Sequence, residues 1–362
     1  MIIDSKELNT FNFNKCLVAH MVVRVGVVGY GTIGKRVADA ILRQDDMKLI
    51  GIAVRRADWR SMLAIERGIN VYTSTDADLK SFSEKKLEVS GNIEDLLNSV
   101  DVIVDATPEG VGEKNKVLYE KHNVKAVFEG GEDHELTGVS FVATRNYSES
   151  VGKQFTRVVS CNTTAISRVV GGIHEKIGLK KARVAIYRRA ADPWESHSKG
   201  IMNTVVPELK IPSHHGPDVQ TVIHDLDIIT IAAKGSHNLF HLHVGFLEAH
   251  NNITRNDVIR VLEEEPRVVL VRGSDGIVAL NSIFELGRDL GRPRGDLYEI
   301  PVWEESVKVN GNEIYLIWAT PNESNVVPDN IDAIRALTKI EADGKKSVEK
   351  TDKALNILKK FY

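Results

Sequence analysis

Thiols are scarce in this sequence: Cys16 and Cys161 are the two cysteines among 362 residues. Two thiols exclude a disulfide framework and a four-thiolate metal site, and Cys161 is the single thiol of the main body. No apolar run reaches the roughly 18 residues that a membrane span needs. The first twenty residues, MIIDSKELNTFNFNKCLVAH, have neither a basic start nor a continuous apolar stretch closed by small residues, so they do not read as a secretory signal. A cytosolic protein with no membrane partner is expected. An excess of either charge is also missing, since 47 basic residues against 50 acidic give a formal net charge of −3. Such balance speaks against a nucleic-acid partner and leaves room only for local basic sites. What is abundant is ordinary core-forming material, 42% hydrophobic, at a length that suggests two domains of about 150 residues or more each.

Residues 22–28, VVRVGVV, are short, β-branched and closed by glycine, the pattern of a strand buried on both faces. Gly29-Tyr30-Gly31-Thr32-Ile33-Gly34 follows, and Ile33, Val37, Ala40 and Ile41 then recur at helical spacing with Lys35, Arg36 and Asp39 opposite. Met21 directly precedes the strand, so residues 1–20 are expected to be an N-terminal extension outside the fold, as an upstream choice of start codon would leave. A second apolar strand spans 49–54, and the alternation continues through strand 101–105, an amphipathic stretch at 111–122 and strand 124–128. This rhythm predicts a doubly wound parallel sheet of the Rossmann type. Beyond Cys161 it changes. A helix over 164–176 gives way to strand-like runs at 183–189, 227–232, 240–247, 268–272 and 313–318, which predict an α+β domain with a largely antiparallel sheet and helices on one face. A capping box at Thr254 opens a helix through Glu264, and two more helices are expected at 328–337 and 348–361.

The glycine motif sits where a strand turns into a helix. There Gly29 permits the tight turn, Gly31 admits a pyrophosphate close to the backbone, Gly34 lets the helix pack, and the helix N-terminus faces the negative charge. A plain glycine turn is the alternative. The second strand ends Ala53-Val54-Arg55-Arg56, without the carboxylate that usually meets a ribose 2′-hydroxyl; arginines suit the 2′-phosphate of NADP, unless the pair is simply solvated. Thr107 and Pro108, just past another parallel strand, are expected to border the same crevice.

In Val158-Val159-Ser160-Cys161-Asn162-Thr163-Thr164 a strand delivers a cysteine to a helix start, where free N–H groups and the dipole favour thiolate. The polar sequel argues against an apolar pocket, the commoner fate of a lone thiol. Six of the twelve histidines fall between His214 and His243; on a strand His241 and His243 share a face, so one can act as base while the other is structural. No carboxylate or thiolate with ligand spacing accompanies them, so no metal is expected. Arg188 and Arg189, with His214 and His215, can hold phosphate through charge-assisted bonds, although adjacent strand residues face opposite ways and one arginine can be structural.

Taken together, GYGTIGKRVADA (29–40), VVSCNTT (158–164), RRAADP (188–193), PSHHGPD (212–218), FELGRDLGR (284–292) and VWEES (302–306) closely resemble the archaeal-type glyceraldehyde-3-phosphate dehydrogenases. The resemblance runs from about residue 22 to the C-terminus. It implies a homotetramer in which a dinucleotide-binding domain, 21–160 with 325–362, joins a catalytic domain, 161–324. By motif, Cys161 is implied to be the nucleophile and His241 the base. Gly29, Tyr30, Gly31, Thr32, Ile33 and Gly34 would hold NADP or NAD, and Ser160, Asn162, Thr163, Arg188, Arg189, His214 and His215 would hold substrate and phosphate. The bacterial and eukaryotic branch follows its cysteine with Thr-Thr-Asn; here the order is Asn162-Thr163-Thr164, so that branch's positions do not carry over. The implied activity is reversible oxidation of glyceraldehyde 3-phosphate with inorganic phosphate, through a cysteine thioester. Two other readings of the residues stay open: another thioacyl-forming NADP dehydrogenase, for a semialdehyde or an acyl phosphate, and a nucleotide-sensing regulator without turnover.

Overall fold

β-Branched runs separated by amphipathic helices assemble into two eight-stranded sheets. In this computed structural model residues 22–129 and 131–362 are described; the expected extension 1–20, with Cys16, lies outside the described residues. The first sheet contains β1 (Val23–Val28), β2 (Met47–Val54), β3 (Val71–Thr73), β4 (Gly91–Asn92), β5 (Val102–Asp105), β6 (Lys125–Glu129), β7 (Ser140–Phe141) and β8 (Phe155–Val158). Its order is β4-β3-β2-β1-β5-β6-β8-β7, with every pairing parallel. β1 lies between β2 and β5, so the chain direction of successive crossovers reverses there. A crevice at the carboxyl ends of β1 and β5 follows, and ligands of such sheets bind in it.

The second sheet contains β9 (Leu179–Arg188), β10 (Val206–Pro207), β11 (Ile228–Lys234), β12 (His241–Ala249), β13 (Val268–Val271), β14 (Ile300–Trp303), β15 (Lys308–Asn310) and β16 (Glu313–Thr320). Among the described residues, β9–β11 and β13–β14 pair in parallel and the other pairings are antiparallel. The helices Cys161–Ile177 and Arg255–Glu264 bury its inner face, where Val184, Ile186, Leu247, Leu316 and Trp318 meet Ile166, Val169, Val170 and Ile173. The last helix departs from the expected 348–361 and spans Gly344–Leu355. Asp343 starts it by accepting from the backbone N–H of Lys345 and Lys346, and Asn356 ends it in the left-handed region at φ 56°.

Buried charge joins the two halves. Arg168, in the helix that begins at Cys161, pairs with Asp329 of the helix Val327–Thr338, and neither side chain is exposed. Arg168 also donates to the carbonyls of Tyr298 (2.9 Å) and Asn325 (2.8 Å). Arg267 reaches Asp332 at 2.6 Å and Asp352 at 2.7 Å, while Arg335 of the same helix reaches Asp46, before β2, at 2.9 Å. Removing one member of such a network leaves an uncompensated buried charge, a cost of about 3–5 kcal/mol. Asp329→Asn should therefore lower the unfolding free energy obtained from denaturant titration by an amount in that range, whereas Lys80→Gln, on the exposed Lys80–Glu84 pair, should leave it nearly unchanged.

Candidate active site

At the end of β1 the glycines do distinct work. Gly29 has φ +88° and a side chain there would sit 2.7 Å from the Ala106 carbonyl oxygen, while at Gly34 it would drive into the Gly29 carbonyl. Gly31 faces open space, with nothing within 4 Å of where a Cβ would stand. The helix Gly34–Ile41 begins without a side-chain cap, so its first N–H groups are not met by a capping side chain. An open backbone cradle at an uncapped helix start fits a dinucleotide pyrophosphate. Tyr30 is buried in the core, which leaves its backbone to face a ligand, and Ile33 packs half-buried beside it. Thr32 Oγ1 donates to Asp192 Oδ2 at 2.9 Å, a contact that crosses from the first sheet to the loop after β9.

Asp105 closes β5 and is held by Asn115 (2.8 Å), Tyr119 (2.7 Å) and the backbone N–H of Thr107 (3.0 Å). This fixes Thr107 half-buried beside the crevice, with Pro108 exposed next to it. Arg55 and Arg56 are both exposed just past β2. The carboxylate that follows them, Asp58, caps the helix Trp59–Glu66 and binds Arg60 at 2.6 Å. Its charge is thereby engaged within the protein.

Cys161 is the first residue of its helix, and Ser160 caps it by accepting from the Thr163 N–H at 3.3 Å. The expected preference for thiolate is corrected by the structure. Burial pushes the half-buried Cys161 thiol up to about 11, outweighing Arg189, Arg188 and the Asn162 N–H, which favour the thiolate; Glu129 opposes it. Helix position alone does not ionise a desolvated sulfur.

Three of the residues expected to contact substrate are hydrogen-bonded within the protein. Asn162 is buried, with Oδ1 accepting from His243 Nε2 and Nδ2 donating to His215 Nε2, both at 2.9 Å. Thr163 is buried and donates to Asp218 Oδ2 at 2.6 Å, and Ser160 Oγ stands 2.9 Å from Thr163 Oγ1. These side chains fix the helix start and lock two rings. His215, whose Nδ1 lies 3.1 Å from Ser213 Oγ, is pushed down to about 2 by burial and the nearby His214, Arg188 and His243. His243 is pushed down to about 3 by burial.

The remaining residues meet at one end of the second sheet, because β9 ends at Arg188 where antiparallel β12 begins at His241 and β16 ends at Thr320. His241 Nδ1 accepts the backbone N–H of Arg189 at 2.9 Å. The neutral ring therefore carries its proton on Nε2, and burial with Arg189 keeps it neutral, its pKa held well below the ordinary range. In this arrangement His241 presents its Nε2–H as a hydrogen-bond donor. Arg188 pairs with Glu208 at 2.6 Å; Arg189 pairs with Asp192 and, at 2.8 Å, with Glu323, which also holds Arg36 of the glycine-motif helix at 2.6 Å. His214 is exposed and lies tilted against His215 with centroids 3.8 Å apart. A carboxylate does join these histidines, contrary to the sequence reading: Glu208, His214 and His215 offer ligand atoms within 4.8 Å of one another. However, Glu208 Oε1 already accepts from Arg188, and His215 has both ring nitrogens beside Asn162 and Ser213.

Sequence reasoning missed Glu129, Asp192, Glu208, Glu323 and Asn325, whose Nδ2 donates to the Cys161 carbonyl at 2.8 Å. Glu129 alone had a local signal, a carboxyl before Gly130-Gly131 at the carboxyl end of a parallel strand. His224 lies beside Glu149, and His237 is stacked on Tyr187 with its carbonyl accepting from the Ala190 N–H.

His215, His241 and His243 share one pH consequence. Each ring is neutral in the folded protein but gains a proton near pH 6.5 when unfolded. The unfolded state then binds more protons, so stability is full above pH 6.5 and falls as pH drops below it, by up to about 1.4 kcal/mol per pH unit for each ring. The denaturation midpoint should decline from pH 7 to pH 4.5, and His243→Asn should flatten that slope by one proton. An unchanged slope would mean that His243 is not titrated differently in the two states.

Comparison with known proteins agrees with the two-sheet architecture. Residues 160–306 match the family model "Glyceraldehyde 3-phosphate dehydrogenase, C-terminal domain", and residues 23–145 match "Dihydrodipicolinate reductase, N-terminus". The chain is 47% identical over 335 residues to a glyceraldehyde-3-phosphate dehydrogenase of Methanothermus fervidus, covering 92% of this chain and 99% of that protein. It is 49% identical over 339 residues to one from Thermococcus kodakarensis, covering 94% and 100%. With likeness of that extent across both sheets, the chain belongs to the glyceraldehyde-3-phosphate dehydrogenase family.

Proposed function

We propose that this protein catalyses the reversible oxidation of glyceraldehyde 3-phosphate with inorganic phosphate to 1,3-bisphosphoglycerate, with NADP and also NAD, in the cytoplasm, in glycolysis and gluconeogenesis. The observation that carries the reading is the meeting of Cys161, at a helix start, with the sheet end that bears His241, Arg188 and Arg189. The dinucleotide-binding domain is 21–160 with 325–362, and 161–324 is the catalytic domain.

In this reading the Cys161 thiol gives up its proton to solvent and the sulfur bonds to the aldehyde carbon, so that negative charge moves to the aldehyde oxygen. The Nε2–H of His241 donates to that oxygen; to accept a proton the ring must first release the Arg189 N–H from Nδ1. A nicotinamide dinucleotide held by the glycine cradle at 29–34 would supply the hydride acceptor. The acyl group is left as a thioester on Cys161, and phosphate attack on its carbon breaks the C–S bond and returns the sulfur. Arg188, Arg189 and exposed His214 hold the phosphate groups. Two phosphate-bearing groups suit this cationic cluster, whereas an amino-acid semialdehyde would require partners for a carboxylate and an amine.

A homotetramer is supported by the outer face of the second sheet. Tyr187, Ile231 and Phe246 are exposed on adjacent strands, and Leu242, Val244 and Ile317 are half-buried on the same side. Such an apolar patch on the outer face suits contact with a second copy of the chain.

Cys161→Ser should abolish oxidation while cofactor affinity stays near that of the wild type, and His241→Asn should lower kcat by roughly a hundredfold, the scale of one lost oxyanion donor. Substantial turnover by Cys161→Ser would overturn the assignment. NADP should bind more tightly than NAD. Arg55→Ala or Arg56→Ala should weaken NADP by roughly ten- to a hundredfold, the worth of one charge-assisted phosphate bond, and change NAD far less. Titration of both cofactors checks this, and an unchanged NADP-to-NAD ratio in both variants would locate the 2′-phosphate contact elsewhere.

A further inference from the structure

One ionisable group near Cys161 has no part in the steps above. Glu129 closes β6 and is in register with Val158 at the end of β8, three residues before the cysteine. Its side chain is buried, and one carboxyl oxygen accepts from Asn330 Nδ2 at 2.6 Å. Burial pushes this acid up to about 8; the Asn330 bond pulls it down and the Asp329 carboxylate adds to the rise. It is thus mainly neutral at pH 7, and its carboxylate form is one of the charges that raise the Cys161 thiol.

The neighbourhood is otherwise committed. From the helix Val327–Thr338, Asp329 is paired with Arg168 of the Cys161 helix, and Asn330 is bound to Glu129 itself. From the neighbouring β5, Asp105 is held by Tyr119 and Asn115. Arg188 and Arg189, at the end of the second sheet, act on the thiol in the opposite direction to Glu129. Glu129, by contrast, is a buried carboxyl whose side-chain partner is the neutral Asn330 amide.

We propose that Glu129 is a positioning residue for the nucleophile, a carboxyl whose own protonation governs how readily Cys161 becomes a thiolate. As the neutral acid it leaves the thiol to the two arginines. As the carboxylate it opposes them, and the two groups titrate as a coupled pair. The inference rests on reading Cys161 as the nucleophile.

The test is the rate of iodoacetamide alkylation of Cys161 from pH 6 to 10, followed by peptide mapping to separate it from Cys16, in wild type and in Glu129→Gln. Glutamine keeps an oxygen for Asn330 but cannot ionise. In wild type the logarithm of the rate should rise by less than one per pH unit around pH 8, where Glu129 takes charge, and then steepen again. The variant should follow wild type at pH 6.5, rise at full slope through pH 8, and exceed wild type at pH 9.5 by roughly tenfold for each pK unit of coupling. Parallel curves, or a wild-type profile of unit slope throughout, would overturn the proposal. The second criterion needs no variant, so a misfolded Glu129→Gln cannot shelter the idea. If alkylation follows the predicted profiles yet leaves glyceraldehyde 3-phosphate oxidation intact, the nucleophile reading fails while the coupling stands; if alkylation abolishes oxidation but the curves are parallel, the reverse holds.

Discussion

The pairing of Arg168 with Asp329 is the constraint on which the rest of the site depends. The two residues lie 161 positions apart, one in the helix that carries Cys161 and the other in the helix that packs on β6, β8 and the glycine-motif helix. Asp329 also accepts the Ala143 N–H at 2.8 Å, so a single carboxylate ties the Cys161 helix to the first sheet at more than one point. Its neighbours in the same helix extend the tie, Asp332 to Arg267 beside β13 and Arg335 to Asp46 beside β2. Charge placed so deep contributes little net stability over well-packed apolar groups, but it makes a displaced arrangement costly. The sulfur and the cofactor cradle are thereby held in one register.

Around that frame the centre is drier and less charged than its residue types suggest. Arg188 and Arg189 each face a carboxylate, and His215, His241 and His243 are all neutral. Asn162 serves as a rigid link between two rings. With the arginines partly balanced, small changes in nearby charge weigh heavily on the thiol, which is why a single carboxyl at the end of β6 matters. Glu323, shared by Arg36 and Arg189, carries a second link from the glycine-motif helix to the end of β9.

The parts of this architecture that are local in sequence were legible. The strand-turn-helix around Gly29 and Gly34 announces itself because strand, turn and helix are contiguous, and the delivery of Cys161 to a helix start is equally local. His241 and His243 on one face follow from strand alternation alone. What escaped notice is non-local. The Arg168–Asp329 link, Glu208 beside the paired histidines and Glu323 between two arginines are brought together from distant parts of the chain, and no periodicity signals them. The thiol was misjudged for a different reason: dipole and neighbouring charge can be read from sequence, but desolvation depends on which segments cover the sulfur. The last helix was displaced because its limits are set by Asp343 and Asn356, cap residues outside the apolar pattern that suggested 348–361.

The account's central claim is a covalent acyl group on Cys161 that waits for phosphate. It is tested most directly by mixing concentrated protein and excess NADP with glyceraldehyde 3-phosphate in phosphate-free buffer and following cofactor reduction through the first turnover. A rapid burst of one NADPH per Cys161, an acyl adduct on that residue, and steady turnover on adding phosphate are predicted. Continuous turnover without phosphate, or no burst and no adduct, would contradict it.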